Sequence, residues 1–311
     1  MKVLSLFDGI SCGYAALERA GITVEEYAAF EIDKYAAATS AKNYPDIIRF
    51  GNVFNGDFKA FKGYDLLIGG SPCTYWSIAR KNRETKPDGE GFKLFMQYVR
   101  ALKESECRYF LYENNYSIHK DIKSEISRQL GVEPIMINSA LVSAQQRKRC
   151  YWTNIPGVTQ PADKGILLSD IVDNAIPWQG KSYCLTANYS GAYLKNTLER
   201  HLRTMVAVPI RIGDIGSNAQ GHRVYSVHGK SITLSAAGGG QGGGTGLYKI
   251  DLPDGNYIIR KLSPIECERL QTLPDNYTAG VSNAQRYKQL GNGWTVDVIA
   301  HIFSYLPHKT V

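Results

Sequence analysis

Cys73 stands in Gly69-Gly70-Ser71-Pro72-Cys73, directly after an apolar run and a rigid proline. A thiol so placed has a fixed position, and its thiolate form is a nucleophile. Most free cysteines are buried structural residues instead, so Cys73 needs partners before it reads as chemistry. Glu113-Asn114 ends another apolar run and supplies a carboxyl group that burial or a substrate can hold protonated. Gln145-Gln146-Arg147-Lys148-Arg149 places cations at alternate positions, so that on an extended segment Arg147 and Arg149 share a face. Basic runs are usually solvated, but Cys150-Tyr151-Trp152 follows this one at once.

A second set suggests a bound cofactor. Phe7-Asp8-Gly9-Ile10-Ser11-Cys12-Gly13 ends an apolar run with small residues, which let a ligand approach backbone N–H groups at a helix start. Glu31, ending the next run, is placed to accept hydrogen bonds from ribose hydroxyls. Alone, the first is an ordinary turn and the second a solvated strand-end carboxylate. Together they suggest an adenosine-containing cofactor. The turn lacks the full dinucleotide glycine pattern, which argues against a nicotinamide.

The elements that must position these groups alternate. Strands are expected at residues 3–7, 27–32, 65–68, 109–112, 135–142 and 150–153, and helices at 13–20, 34–43, 92–103 and 122–130. Such alternation predicts an α/β fold with a mostly parallel sheet covered on both faces, and ligands beyond the strands' carboxyl ends. From about residue 156 to 259 the texture becomes irregular and β-like, with a glycine-dense stretch at 235–244 that reads as a loop between strand-like flanks. Helical patterns return at 264–271 and 295–305, which predicts that the C-terminal part packs back on the first domain.

The chain has 311 residues, 36 Lys plus Arg and 29 Asp plus Glu, for a net charge of +7. That is room for a sizeable core, and the modest positive excess fits a polyanionic partner. The six cysteines are scattered, with no zinc spacing, and read as reduced thiols of a cytosolic protein with no metal site. Neither a signal peptide nor a membrane span is expected.

Taken in order, Phe7-Asp8-Gly9, Gly69-Gly70-Ser71-Pro72-Cys73, Glu113-Asn114, Gln145-x-Arg147-x-Arg149 and Gly291-Asn292 resemble the DNA cytosine-5 methyltransferase family over nearly the whole chain. Residues 65–157 are most similar to animal de novo enzymes, and residues 211–305 to small bacterial restriction-modification enzymes. The resemblance implies a Rossmann-like S-adenosylmethionine-dependent methyltransferase domain at residues 1–155. A smaller β-rich target-recognition domain would follow at 156–259, and residues 260–311 would complete the catalytic domain.

It also implies roles. Cys73 would attack C6 of a cytosine flipped out of double-stranded DNA. Glu113 would hold or protonate N3, Arg149 would bind O2, and Arg147 would support the base pocket or a phosphate. The methyl donor would be S-adenosylmethionine, leaving S-adenosylhomocysteine. Phe7, Asp8, Gly9, Ile10 and Gly13 would surround its methionine part, Glu31 its ribose, and Ile32, Asn52 and Val53 its adenine. Ser71, Pro72, Asn292 and Trp294 would close the site. Arg80 and Lys81, in a Lys/Arg/Gly-rich segment resembling a mobile loop, would contact DNA. Gln220 would fill the space left by the base, Arg223 would read a guanine or hold a phosphate, and Thr233 would touch the backbone.

Two positions depart from the family pattern: Asn52 stands where Asp is usual, and Asn115 where Val is usual. The expected setting is a cytoplasmic monomer in a bacterium or phage-infected cell, acting apart from any cognate restriction endonuclease. An RNA cytosine-5 methyltransferase and a non-catalytic DNA-binding regulator are the competing readings. The long recognition region argues against the first, and intact Cys73, Glu113 and Arg149 against the second.

Overall fold

The strands that carry the site are continuous apolar runs, as fully covered sheets require. A computed structural model describes residues 1–77, 80–209 and 257–307. β1 (Lys2–Leu6), β2 (Glu26–Phe30), β3 (Ile48–Phe50), β4 (Leu66–Gly69), β5 (Tyr109–Asn115), β6 (Ile135–Asn138) and β7 (Lys148–Thr153) form one sheet in the order β3-β2-β1-β4-β5-β7-β6. The first five strands are parallel, while β7 runs antiparallel to both neighbours. Side chains alternate between two cores. Val3, Ile68 and Leu111 enter one, and Leu4, Leu67 and Tyr112 the other.

The helices covering these faces are α1 (Cys12–Arg19), α2 (Lys34–Asn43), α3 (Glu90–Ser105) and α4 (Lys120–Leu130). Beyond α5 (Leu194–Leu198) come α6 (Pro264–Leu270), α7 (Asn283–Asn292) and α8 (Val296–Phe303). α6 starts where its sequence dictates. Ser263 and Glu266 form a reciprocal cap around Pro264 at the first helical position. The C-terminal helices return to the first strands: α8 packs on α1, with Arg19 paired to Asp297 at 2.5 Å. The Tyr277 hydroxyl donates to the Ile10 carbonyl at 2.6 Å.

Three elements differ from the sequence expectation. The strand expected at 135–142 stops at Asn138, because the Asn138 side chain accepts from the Ala140 N–H and starts a tight turn. β3 is only three residues long, too short to show a period. α7 is mostly polar and is secured chiefly by buried Tyr287 and Leu290. Of the irregular region, residues 156–209 hold short helical turns, α5 and β8 (Met205–Pro209), which pairs antiparallel with β9 (Tyr257–Lys261). The glycine-dense stretch, Gln220, Arg223 and Thr233 lie outside the described residues.

The carboxyl ends of β1, β2, β4 and β5 share one edge of the sheet. Because β7 is reversed, its beginning reaches that edge too. This explains how Arg149, near the start of β7, meets Glu113 of β5.

Candidate active site

Cys73 follows β4 on a turn with little freedom. A Cβ on Gly70 would lie 2.9 Å from the Glu113 carbonyl oxygen and 3.0 Å from its Oε2, so only glycine lets β4 and β5 approach there. The Cys73 carbonyl accepts from the Trp76 and Ser77 N–H groups at 3.0 and 2.9 Å, and the fully buried Trp76 ring anchors the turn. From β5, the Asn114 amide donates to the Ser71 carbonyl at 3.0 Å, and the Tyr112 hydroxyl lies 2.6 Å from Ser71 Oγ. Asn114 thus ties the cysteine turn to the strand that carries Glu113.

The other thiols divide clearly. Burial pushes Cys12 up to about 12 and Cys107 up to about 11, and raises Cys150 and Cys267 as well. These four are inert core thiols. Cys73 is only partly buried and lines a cleft with Glu113 and Arg149.

Strand register brings the acid and cation together. Asn115 stands opposite Arg149 and Glu113 opposite Tyr151, so Glu113 and Arg149 are diagonal neighbours on one face. Arg149 Nε lies 2.9 Å from Glu113 Oε1, and the Trp294 indole N–H donates to Oε2 at 2.9 Å. Arg147 is buried and differently engaged. It donates to the carbonyls of Leu185, Gly291 and Gly293 at 3.0, 3.1 and 2.9 Å. Its guanidinium therefore braces the wall of the cleft, which it also lines. Cys184 lies outside every motif read from the sequence. Burial opposes its ionisation, but the Arg147 and Arg149 guanidiniums hold its thiol below the ordinary range.

The same cleft continues past Phe7, Asp8, Gly9 and Glu31, with a cavity volume of about 200 Å³. Phe7, Gly9 and Ser11 are all left-handed, with φ of 58°, 60° and 61°, so the chain turns sharply at the end of β1. Asp8 holds this turn, accepting from the Ser5, Ser11 and Tyr27 hydroxyls at 2.6, 2.5 and 2.7 Å. Burial raises its carboxyl above the usual range, and those three bonds pull the other way. Glu31 accepts from the Gly9 and Asp33 N–H groups at 2.8 and 2.7 Å, and burial raises its carboxyl too.

A family profile described as "C-5 cytosine-specific DNA methylase" matches residues 1–308. The chain belongs to that family. The methylase is 27% identical to the type II methyltransferase M.HhaI of Haemophilus parahaemolyticus, over 97% of this chain and 93% of that one. It is 25% identical to the orphan methyltransferase M.SPRI of Bacillus phage SPR, over 100% and 98% of the two chains. Its fold matches the Entamoeba histolytica methyltransferase EhMeth, with a TM-score of 0.68, 16% identity and coverage of 98% and 97%. It also matches a Spodoptera frugiperda DNMT2 mutant, with a TM-score of 0.64, 15% identity and coverage of 98% and 99%.

The residues expected around the cofactor take different places in the methylase. Ile10 lines the cleft, while the Val53 side chain is buried in the second core. Gly13 lines the cleft too, and a Cβ there would lie 2.3 Å from Ile68 Cδ1. Ile32 is 77% exposed, and Asn52 is exposed while its side chain caps the turn at Val53–Asn55. Ser71, Pro72, Asn292 and Trp294 line the cleft. Arg80 and Lys81 are exposed, with the Arg80 guanidinium 5.0 Å from the Tyr75 ring centroid. Among the described residues no helix is long and apolar enough to cross a membrane, and no group of three or more side chains is arranged to hold a metal.

Proposed function

We propose that this DNA cytosine-5 methyltransferase acts through a covalent Cys73 intermediate on a flipped cytosine, with S-adenosylmethionine as methyl donor. The observation that carries this reading is the meeting of Cys73, Glu113 and Arg149 in the cleft that Phe7, Gly9 and Glu31 also line. The cleft's donors and acceptors fit the cofactor. Glu31 keeps lone pairs for ribose hydroxyls, exposed Ile32 offers an apolar face to adenine, and the Asn52 carbonyl oxygen retains a second lone pair. When bound, S-adenosylmethionine supplies an electrophilic methyl group on sulfur.

The protein's own residues do the rest. The Cys73 thiolate adds to C6 of the ring. Glu113 gives a proton to N3 as charge develops there, and Arg149 steadies both Glu113 and the ring oxygen O2. Adding the thiolate makes C5 nucleophilic and so able to accept a methyl group. Loss of the C5 proton, with return of the N3 proton to Glu113, then expels the Cys73 thiolate and leaves 5-methylcytosine. Flipping is required because C5 and C6 are poorly accessible inside the stack.

Target reading falls to residues 156–259, with Gln220, Arg223 and Thr233 as base and backbone contacts and Arg80 and Lys81 on the phosphates. Residues 1–155 and 260–311 form the catalytic domain. The protein works as a cytoplasmic monomer on double-stranded DNA and needs no bound endonuclease.

The decisive experiment traps the intermediate. Duplex DNA carrying 5-fluorocytosine should form a covalent adduct with the purified protein and S-adenosylmethionine, and Cys73→Ser should abolish both adduct and methyl transfer. Methyl transfer by Cys73→Ser at the normal rate would overturn the mechanism. Adducts with tRNA in place of duplex DNA would overturn the substrate.

A further inference from the structure

Trp294 reaches both halves of the cleft. At one end, ring atom Cζ3 lies 3.5 Å from where a Cβ on Gly13 would stand, beside the turn that ends β1. At the other, Nε1 lies 3.5 Å from the equivalent point on Gly70 and donates to Glu113 Oε2 at 2.9 Å. The backbone on either side is pinned. The Gly293 carbonyl accepts from Arg147 at 2.9 Å, while Thr295 Oγ1 donates to Gln271 and accepts from Ser139, each at 2.9 Å. The indole therefore has little room to move.

Glu113 needs such a partner. The last torsion of a glutamate is broad and nearly two-fold. Arg149 at Oε1 alone leaves the carboxyl plane able to swing about that contact. A second donor at Oε2 removes this freedom. An indole N–H only donates, so the direction of the bond is fixed.

We propose that Trp294 is a positioning residue for Glu113: its N–H fixes the carboxyl plane, and its ring, resting on the Gly13 side, links that orientation to the cofactor half of the cleft. The inference rests on Glu113 acting as the acid at N3. It assigns to Trp294 a function in the chemical step that a wall of the cofactor site would not have.

Trp294→Phe keeps most of the ring and removes the donor. Misorienting a catalytic group by about an ångström can cost ~10²-fold, so kcat should fall about 10- to 100-fold. KM for S-adenosylmethionine should stay within about threefold, because the lost bond acts on the reacting state. Trp294→His, which restores an N–H donor, should recover part of kcat. Retained kcat with a raised KM in Trp294→Phe, or a His variant no better than Phe, would overturn the proposal.

A second measurement does not depend on those variants folding. In protein with ¹⁵N-labelled indoles, Glu113→Gln should shift one of the four tryptophan N–H resonances well beyond the others. Four unmoved resonances would also overturn it. An unsubstituted protein without adduct or methyl transfer would defeat the covalent mechanism instead, whereas an active parent matched in rate by Trp294→Phe would defeat this inference alone.

Discussion

At Glu113 and Arg149 the site shows why an ion pair is kept in a nearly dry place. Both side chains are only about a tenth exposed, at 11% and 12%. Desolvation makes such a pair weak evidence for stability, so its value here lies in geometry. One edge of the guanidinium holds Glu113 while its remaining N–H groups can face a ring oxygen. Lysine would offer a single point charge on a flexible stem. Arg149→Lys should therefore lower kcat/KM by about 10²-fold or more, the usual cost of losing one donor to developing charge. Steady-state kinetics on duplex DNA would show this, and a near-normal kcat/KM would remove Arg149 from the reaction. Arg147, two residues earlier, has the same chemistry and a different task. Sequence spacing put both on one face, but it could not show that three carbonyls surround the first.

At the scale of elements, the decisive contacts run between strand ends. Asn114 donates to the Ser71 carbonyl, so β5 fixes the turn that β4 presents. Asn114→Ala removes bonds to the Ser71 carbonyl, the Tyr112 hydroxyl and the Asn115 N–H, and should destabilise the protein by about 1–3 kcal/mol in denaturant unfolding. It should lower the rate of 5-fluorocytosine adduct formation by about 10²-fold as the cysteine turn loosens. A variant that forms adduct at the parent rate would show that the proline and Trp76 suffice.

The strands were legible in the sequence because they are short, continuous apolar runs ended by glycine or by acids. The reversal of β7 was not, because an apolar run carries no direction. Nor was the end of β6 at Asn138, where one side-chain cap overrides the apolar pattern of residues 139–142. The cofactor residues were legible as a turn but not atom by atom: the Val53 side chain is drawn into a core, and a Cβ on Gly13 would meet Ile68. The link from Trp294 to Glu113 spans 181 residues. No local spacing could reveal it.

For the whole molecule, the C-terminal helices matter as much as the sheet. Glu268 is fully buried and accepts from the Asn276 and Thr278 N–H groups and from Arg286, at 2.7, 2.8 and 2.8 Å. It organises the loop that leads into α7, and so fixes the approach to Asn292 and Trp294. Glu268→Ala leaves those donors and the Arg286 charge without their acceptor, and should destabilise the protein by about 3–5 kcal/mol in denaturant unfolding. A loss below about 1 kcal/mol would mean that water replaces the carboxylate.

The order in which the polypeptide emerges during translation gives the Trp294 wall a further meaning. Cys73, Glu113 and Arg149 are all synthesised before residue 150, and the indole beside Glu113 follows only at residue 294. A nascent polypeptide still held by the ribosome carries the reactive thiol without the wall that orients its partner. A product cut short ahead of Trp294 keeps the Cys73 thiol and lacks the second donor to Glu113.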